Sequence, residues 1–146
     1  MSTSRKATTL KVALPYTAAQ ANRALPLVRS IVSDLVTNTR RWEDAVRNVE
    51  LASHDNVLDN ADAERWQRET QRLAAEIEGC VRELAELGVE IRALDTGLVD
   101  FPGTLDGHDV YFCWMLGEHA VTHWHERDAG FSGRQPLPLD ALTPLG

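Results

Sequence analysis

Cysteine is scarce in this sequence. Cys80 and Cys113 are the only two, far apart and without metal-type spacing, so neither a disulfide framework nor a paired-cysteine zinc motif is present. No apolar run approaches the roughly 20 residues that span a bilayer, and no membrane partner is expected. The opening MSTSRKATT is polar and lacks an apolar segment of signal-peptide type, so the expected location is cytoplasmic. The phosphate-cradling pattern GxxxxGK[ST] is missing, as are internal repeats and low-complexity tracts. Basic residues are outnumbered, 15 against 22 acidic, for a net charge of −7, which argues against nucleic acid as a partner because a phosphate backbone calls for a basic surface. They are also unevenly spread: after position 85 only Arg92, Arg127 and Arg134 remain, each a candidate anion contact or an ordinary ion pair.

With 43% hydrophobic and 25% charged residues over 146 positions, the chain has the composition and length of one globular domain, residues 1–146. Leu10–Leu14 has the composition of a short strand. Thr17 followed by Gln20 is a capping-box pattern. Apolar residues then recur at helical spacing from Ala21 through Val28, Ile31, Val32 and Leu35 to Ala45 and Val49. Pro26 interrupts the run, which predicts a kink or break there and a long helix from about Pro26 to the low fifties. Ser53–Asn60 is a polar turn, with Asp59 or Asn60 as the next helix cap. In the second helix Ala63, Thr70, Ile77 and Leu84 alternate with Trp66, Leu73, Cys80 and Leu87 at coiled-coil spacing, and Gly88 is the stop. Two helices of nearly equal length, roughly 40 Å each, read as an antiparallel hairpin over residues 16–88, with Trp42 and Trp66 in its core. A hairpin alone cannot cover both apolar faces, which predicts a homodimer closing a four-helix bundle.

From Val89 the hydrophobic period becomes that of strands. Val89–Leu94, Leu98–Phe101, His108–Leu116 and about Ala120–His125 are the expected strands of a meander over residues 89–126. Pro102–Gly107 is expected as a loop and residues 127–146 as a loop-like tail. The fold class is therefore α+β: a long antiparallel helical hairpin followed by a small antiparallel sheet of about four strands.

Three places could carry chemistry. Glu118, His119, His123, His125 and Glu126 gather three of the five histidines within seven residues. In a strand His123 and His125 share a face, so with Glu126 they form a candidate site for a divalent metal such as zinc. The competing reading makes them ordinary polar and backbone-bonded positions. Asp100 lies between Val99 and Phe101, a poor place for a charge unless it is paired. It is either a strand-end aspartate serving backbone N–H groups or a ligand or general base facing His125. Gly130-Phe131-Ser132-Gly133-Arg134 could offer backbone N–H groups and a guanidinium to a small anionic ligand, or could be a structural loop. No serine or cysteine stands out as a nucleophile, and Cys113, mid-strand, reads as an inert buried thiol.

GLVDFPG at 97–103, CWMLGE at 113–118, WHERDAGFSGRQPL at 124–137 and YTAAQANRALPLVR at 16–29 resemble a bacterial family catalogued as domain of unknown function 2203. The resemblance spans nearly the whole chain and implies no activity. It places the family's polar motif positions on Asp100, Glu118, His125 and Arg134, with Trp124 and Phe131 as aromatic companions. His123 departs from the pattern, where another residue, frequently aromatic, precedes the tryptophan. The expectation is a self-associating interaction or small-ligand-binding protein with a polar pocket at Asp100, Glu118, His125 and Arg134. The alternative is a metal-dependent hydrolase using His125 with neighbouring carboxylates.

Overall fold

The capping box forms as a reciprocal pair: the Gln20 N–H donates to Thr17 Oγ1 and the Thr17 N–H to Gln20 Oε1, at 3.1 and 2.9 Å. In the computed structural model, which describes residues 14–54 and 61–142, helix α1 (Ala18–His54) starts there and runs for 37 residues. Of the kink or break expected at Pro26, the break does not occur: the helix continues through that residue. Pro26 is solvent-exposed, so the carbonyl that loses its partner can be hydrated. Meanwhile Ala21, Ala24, Leu25 and Val28 are all buried, which holds both sides of the proline on the core. The Asn22 side chain adds a clamp, accepting from the Val121 N–H and donating to its carbonyl.

Helix α2 (Ala61–Glu86) packs antiparallel on α1 but is shorter, 26 residues, so the expected equality of the two helices does not hold. It ends at Gly88 in a Schellman motif: the Val89 N–H bonds the Leu84 carbonyl, the Gly88 N–H bonds that of Ala85, and Gly88 takes φ +74°. The proposed cap at Asp59 or Asn60, and Leu10–Lys11–Val12–Ala13 of the proposed first strand, lie outside the described residues. Ala63, Leu73, Cys80, Leu84 and Leu87 are buried, whereas Trp42 and Trp66 are only half-buried rather than core. Among the described residues no helix is long and apolar enough to cross a membrane.

Five strands follow as an antiparallel meander in the order of the chain: β1 (Glu90–Ala93), β2 (Leu98–Leu105), β3 (His108–Met115), β4 (His123–Glu126) and β5 (Gln135–Pro136). Strand β2 runs four residues past the expected Phe101, and Pro102–Leu105 are paired strand, not loop. Pro102 is tolerated because its carbonyl, and hence its missing N–H, faces away from β3; that carbonyl accepts from the Tyr16 N–H. Tyr16 lies along β2 as a parallel bridge to Gly103, where a Cβ would collide with the Phe112 ring and the Tyr16 carbonyl. Asp106 and Gly107, both with positive φ, form the two-residue hairpin turn between β2 and β3. The tail also carries more structure than expected: a 3₁₀ turn at Phe131–Gly133, strand β5, and a short helix α3 (Leu139–Leu142).

Side-chain alternation splits the sheet into two unlike faces. Val99, Phe101, Val110, Phe112 and Trp114 are fully buried in one cluster with Val28, Ile31, Val32 and Leu35 of α1 and Leu84 of α2. The opposite face carries Asp100, Cys113 and His125, and the chain after β4 folds back across it. That second covered face holds the polar groups.

Candidate functional site

The hairpin turn sets the register, and the register builds the site. Across β2–β3, Asp100 stands opposite Cys113; across β3–β4, Tyr111 stands opposite His125 and Cys113 opposite His123. Asp100, Cys113 and His125 therefore share the face away from the helices, and each is buried. Their ligand-type atoms all lie within 4.8 Å of one another. His125 Nε2 is 3.1 Å from Asp100 Oδ1, with both side chains about 95% removed from solvent. The other ring nitrogen, Nδ1, is 2.7 Å from the Glu126 carbonyl oxygen. Arg92 Nε donates to Asp100 Oδ2 at 2.9 Å and its Nη2 donates to Glu90. A charge in an apolar strand is thus partnered on both of its oxygens. Burial pushes the Cys113 thiol up to about 12, with the Asp100 and Glu118 carboxylates adding to the rise and Arg134 opposing it.

Glu118 and Arg134 form a second pair. Arg134 Nη2 donates to both carboxylate oxygens at 2.8 and 3.1 Å, and Glu118 Oε1 also accepts from the Met115 N–H. This bond ties the returning chain to the β3–β4 connection, so the Arg134 guanidinium is engaged as a fastening, although its buried Nε has no partner. The charges of Asp100, Glu118 and Arg134 all act on the Cys113 thiol. The structure does not bring Glu126 into the cluster. Glu126 pairs with Val110 on the helix-facing side of the alternation and is exposed beside His108, 3.4 Å away. His123 shares the face of His125, but its Nδ1 lies 2.9 Å from Thr122 Oγ1, and the close group of three does not include it. His119 is exposed, and its carbonyl accepts from Arg29.

A partly open hollow of about 290 Å³ lies over Asp100, Cys113 and His125. Its far wall is Arg127–Phe131 of the returning chain, with Arg92, Leu98 and Tyr111 at the sides. The Tyr111 ring is flanked by two guanidiniums, Arg92 at 5.0 Å and Arg127 at 4.4 Å from its centroid, and lies 5.5 Å from the His125 ring. Three members of this constellation are not marked by local sequence pattern: Cys113, Tyr111 and Arg127. Arg127 belongs to the sparse arginines of the acidic half, the one signal that points to it. Cys113 gives no signal until its cross-strand partner is known.

Chemically, the site offers one nitrogen, one oxygen and one sulfur donor on rigid strands at the bottom of an open hollow. It is poorly suited to thiol nucleophilic catalysis. A thiol held near 12 carries almost no thiolate at neutral pH, and the nearest imidazole faces the Glu126 carbonyl with Nδ1 and the Asp100 carboxylate with Nε2 instead of the thiol.

Comparison with curated proteins and with solved structures gave no match. A family model described as an uncharacterized conserved protein (DUF2203) matches residues 15–137, which takes in both helices of the hairpin, all five strands and every residue of the hollow; the chain belongs to that family.

Proposed function

We propose that the protein binds a divalent metal ion of zinc type through Asp100, Cys113 and His125, and that the open side of this centre performs hydrolase-type chemistry in the hollow. The observation that carries the reading is the pairing of His125. The Glu126 carbonyl can only accept, so Nδ1 carries a proton toward it. A neutral ring then presents its Nε2 lone pair to a carboxylate oxygen 3.1 Å away. Two acceptors facing each other require either a second ring proton or a cation lying between them. A backbone carbonyl on the far nitrogen is the usual support for a metal-binding histidine. The third donor, Cys113 Sγ, supports the cation by position, within 4.8 Å of both other ligand atoms; a bound metal would have to displace the thiol proton that burial favours. Arg92 holds Asp100 by Oδ2 and leaves Oδ1 directed at the cluster.

Three protein ligands with a fourth position open are the arrangement of catalytic rather than structural zinc sites. A metal held by Asp100, Cys113 and His125 would supply Lewis acidity and an activated water, whose pKa in such sites falls to about 7. The test is titration of chelator-treated protein with cobalt(II), read by the thiolate-to-cobalt absorption band. We expect saturation at one ion per chain, loss of the band in Cys113→Ser, and at least about tenfold weaker binding in His125→Ala. Absence of the band in the unmodified protein contradicts the reading.

Self-association is a second reading, supported by the far half of the hairpin. The main core takes in α1 only as far as Val36 and α2 only from Cys80 onward. Beyond that, Thr39, Ala45, Ala63 and Leu73 are buried between the two helices while Trp42 and Trp66 stay half-exposed. A second copy packed on this stalk would cover both tryptophans.

A further inference from the structure

The hollow has a cation that the Asp100 cluster does not use. Arg92 is committed to Asp100 and Glu90, and Arg134 to Glu118. Arg127 has no carboxylate partner among the described residues, although Asp128 is its neighbour in the chain and also lines the hollow. Its guanidinium lies 4.4 Å from the centroid of Tyr111, which also carries Arg92 at 5.0 Å. Two like charges on one phenol ring repel, and only Arg92 has its countercharge supplied by the protein. The Arg127 guanidinium rests against the Tyr111 ring, no hydrogen bond from it to a described residue is seen, and a guanidinium edge matches the two oxygens of a carboxylate or phosphate. On the same wall Phe131, 43% exposed and with the Arg134 guanidinium 4.8 Å from its ring centroid, presents an aromatic surface to that space. At about 290 Å³ the hollow is at the small end of ligand sites.

We propose that this hollow receives a small organic oxyanion, a carboxylate or phosphate monoester attached to a flat apolar group, with Arg127, backed by the Tyr111 ring, binding the oxyanion and the exposed side of Phe131 lying against the apolar part. Arg127 is the specificity-determining residue of the site. Arg134, the arginine of the glycine-bracketed loop, is not, because Glu118 holds it. The inference deepens the metal-centre reading and rests on it for what becomes of the bound molecule; the oxyanion contact itself needs only Arg127 and its aromatic support.

The experiment is calorimetric titration of the full chain, zinc-loaded and chelator-treated, with phenyl phosphate, benzoate and inorganic phosphate. We expect an aromatic oxyanion to bind both preparations, and the ranking of phenyl phosphate against benzoate identifies the preferred oxyanion. Arg127→Gln should weaken binding about tenfold or more, with Arg127→Lys intermediate. Arg127 is exposed, so both variants are expected to fold, and each should bind metal as the unmodified protein does. Binding that Arg127→Gln leaves unchanged, or no binding of any of the three probes, overturns the proposal. Arg127-dependent binding in a chain that takes up no metal supports the oxyanion site and removes the metal reading, so the two fail separately.

Discussion

Asp100, Cys113 and His125 illustrate how a few side chains acquire meaning from register alone. Alternation along a strand puts His123 and His125 on one face and flags Asp100 as a charge among apolar neighbours, and that much is legible from the residues. Cys113 is not legible in the same way, because its role depends on which β2 residue stands opposite it. That pairing is set by the Asp106–Gly107 turn, which aligns Leu105 with His108 and, by counting outward, Asp100 with Cys113. Reading Pro102–Gly107 as a loop discards this information. The bond between Arg134 and Glu118 belongs to the same scale and gives a test of what those residues do. Arg134→Ala removes both hydrogen bonds to a largely buried carboxylate and should cost about 1–3 kcal/mol in chemical denaturation while leaving metal uptake intact. Loss of metal uptake with unchanged stability would instead assign Arg134 to the site.

Elements in this protein are held by contacts between distant segments, and those contacts decide where local rules are overridden. Pro26 predicts a helix boundary by its own chemistry, but burial of Ala21, Ala24, Leu25 and Val28 on either side outweighs the single lost hydrogen bond. The extension of β2 past Pro102 pairs with β3 on one edge and is met on the other by Tyr16, more than eighty residues upstream; strand propensity carries no trace of that contact. Tyr16 also joins the start of α1 to the end of α2, since its hydroxyl donates to the Leu87 carbonyl at 2.7 Å. Burial raises that hydroxyl from 10.0 to about 12. A folded-state pKa above the unfolded one stabilises fully below the unfolded value and loses its effect as pH rises through the folded value. Below pH 10.0, Tyr16→Phe should cost about 1 kcal/mol through the lost bond. Between pH 10.0 and about 12 the difference between the two proteins should narrow, because only the unmodified chain gains from ionising its tyrosine on unfolding. Denaturation midpoints across that range measure it; a constant difference would mean that the hydroxyl is not buried in solution.

The whole molecule divides its work between two surfaces of one sheet. The helix-facing side is a continuous apolar core, and the hairpin and meander that build it are readable from the change of hydrophobic period at Val89. The far side is roofed by the returning chain, whose strand β5 is only two residues long and whose 3₁₀ turn is three, too short for any periodicity to reveal. The hollow was therefore hidden, although the arginines that border it were conspicuous. The stalk of the hairpin yields one prediction at this scale. Sedimentation equilibrium should give a dimer, and Trp42→Glu should shift it to monomer; a monomer before substitution contradicts the assembly.

The proposed metal site is tested most directly by elemental analysis of the protein purified without chelators, compared with His125→Ala prepared in parallel. We predict close to one zinc-type ion per chain in the first and a small fraction of that in the second. Equal and negligible metal in both would mean that a proton, not a metal ion, lies between His125 and Asp100.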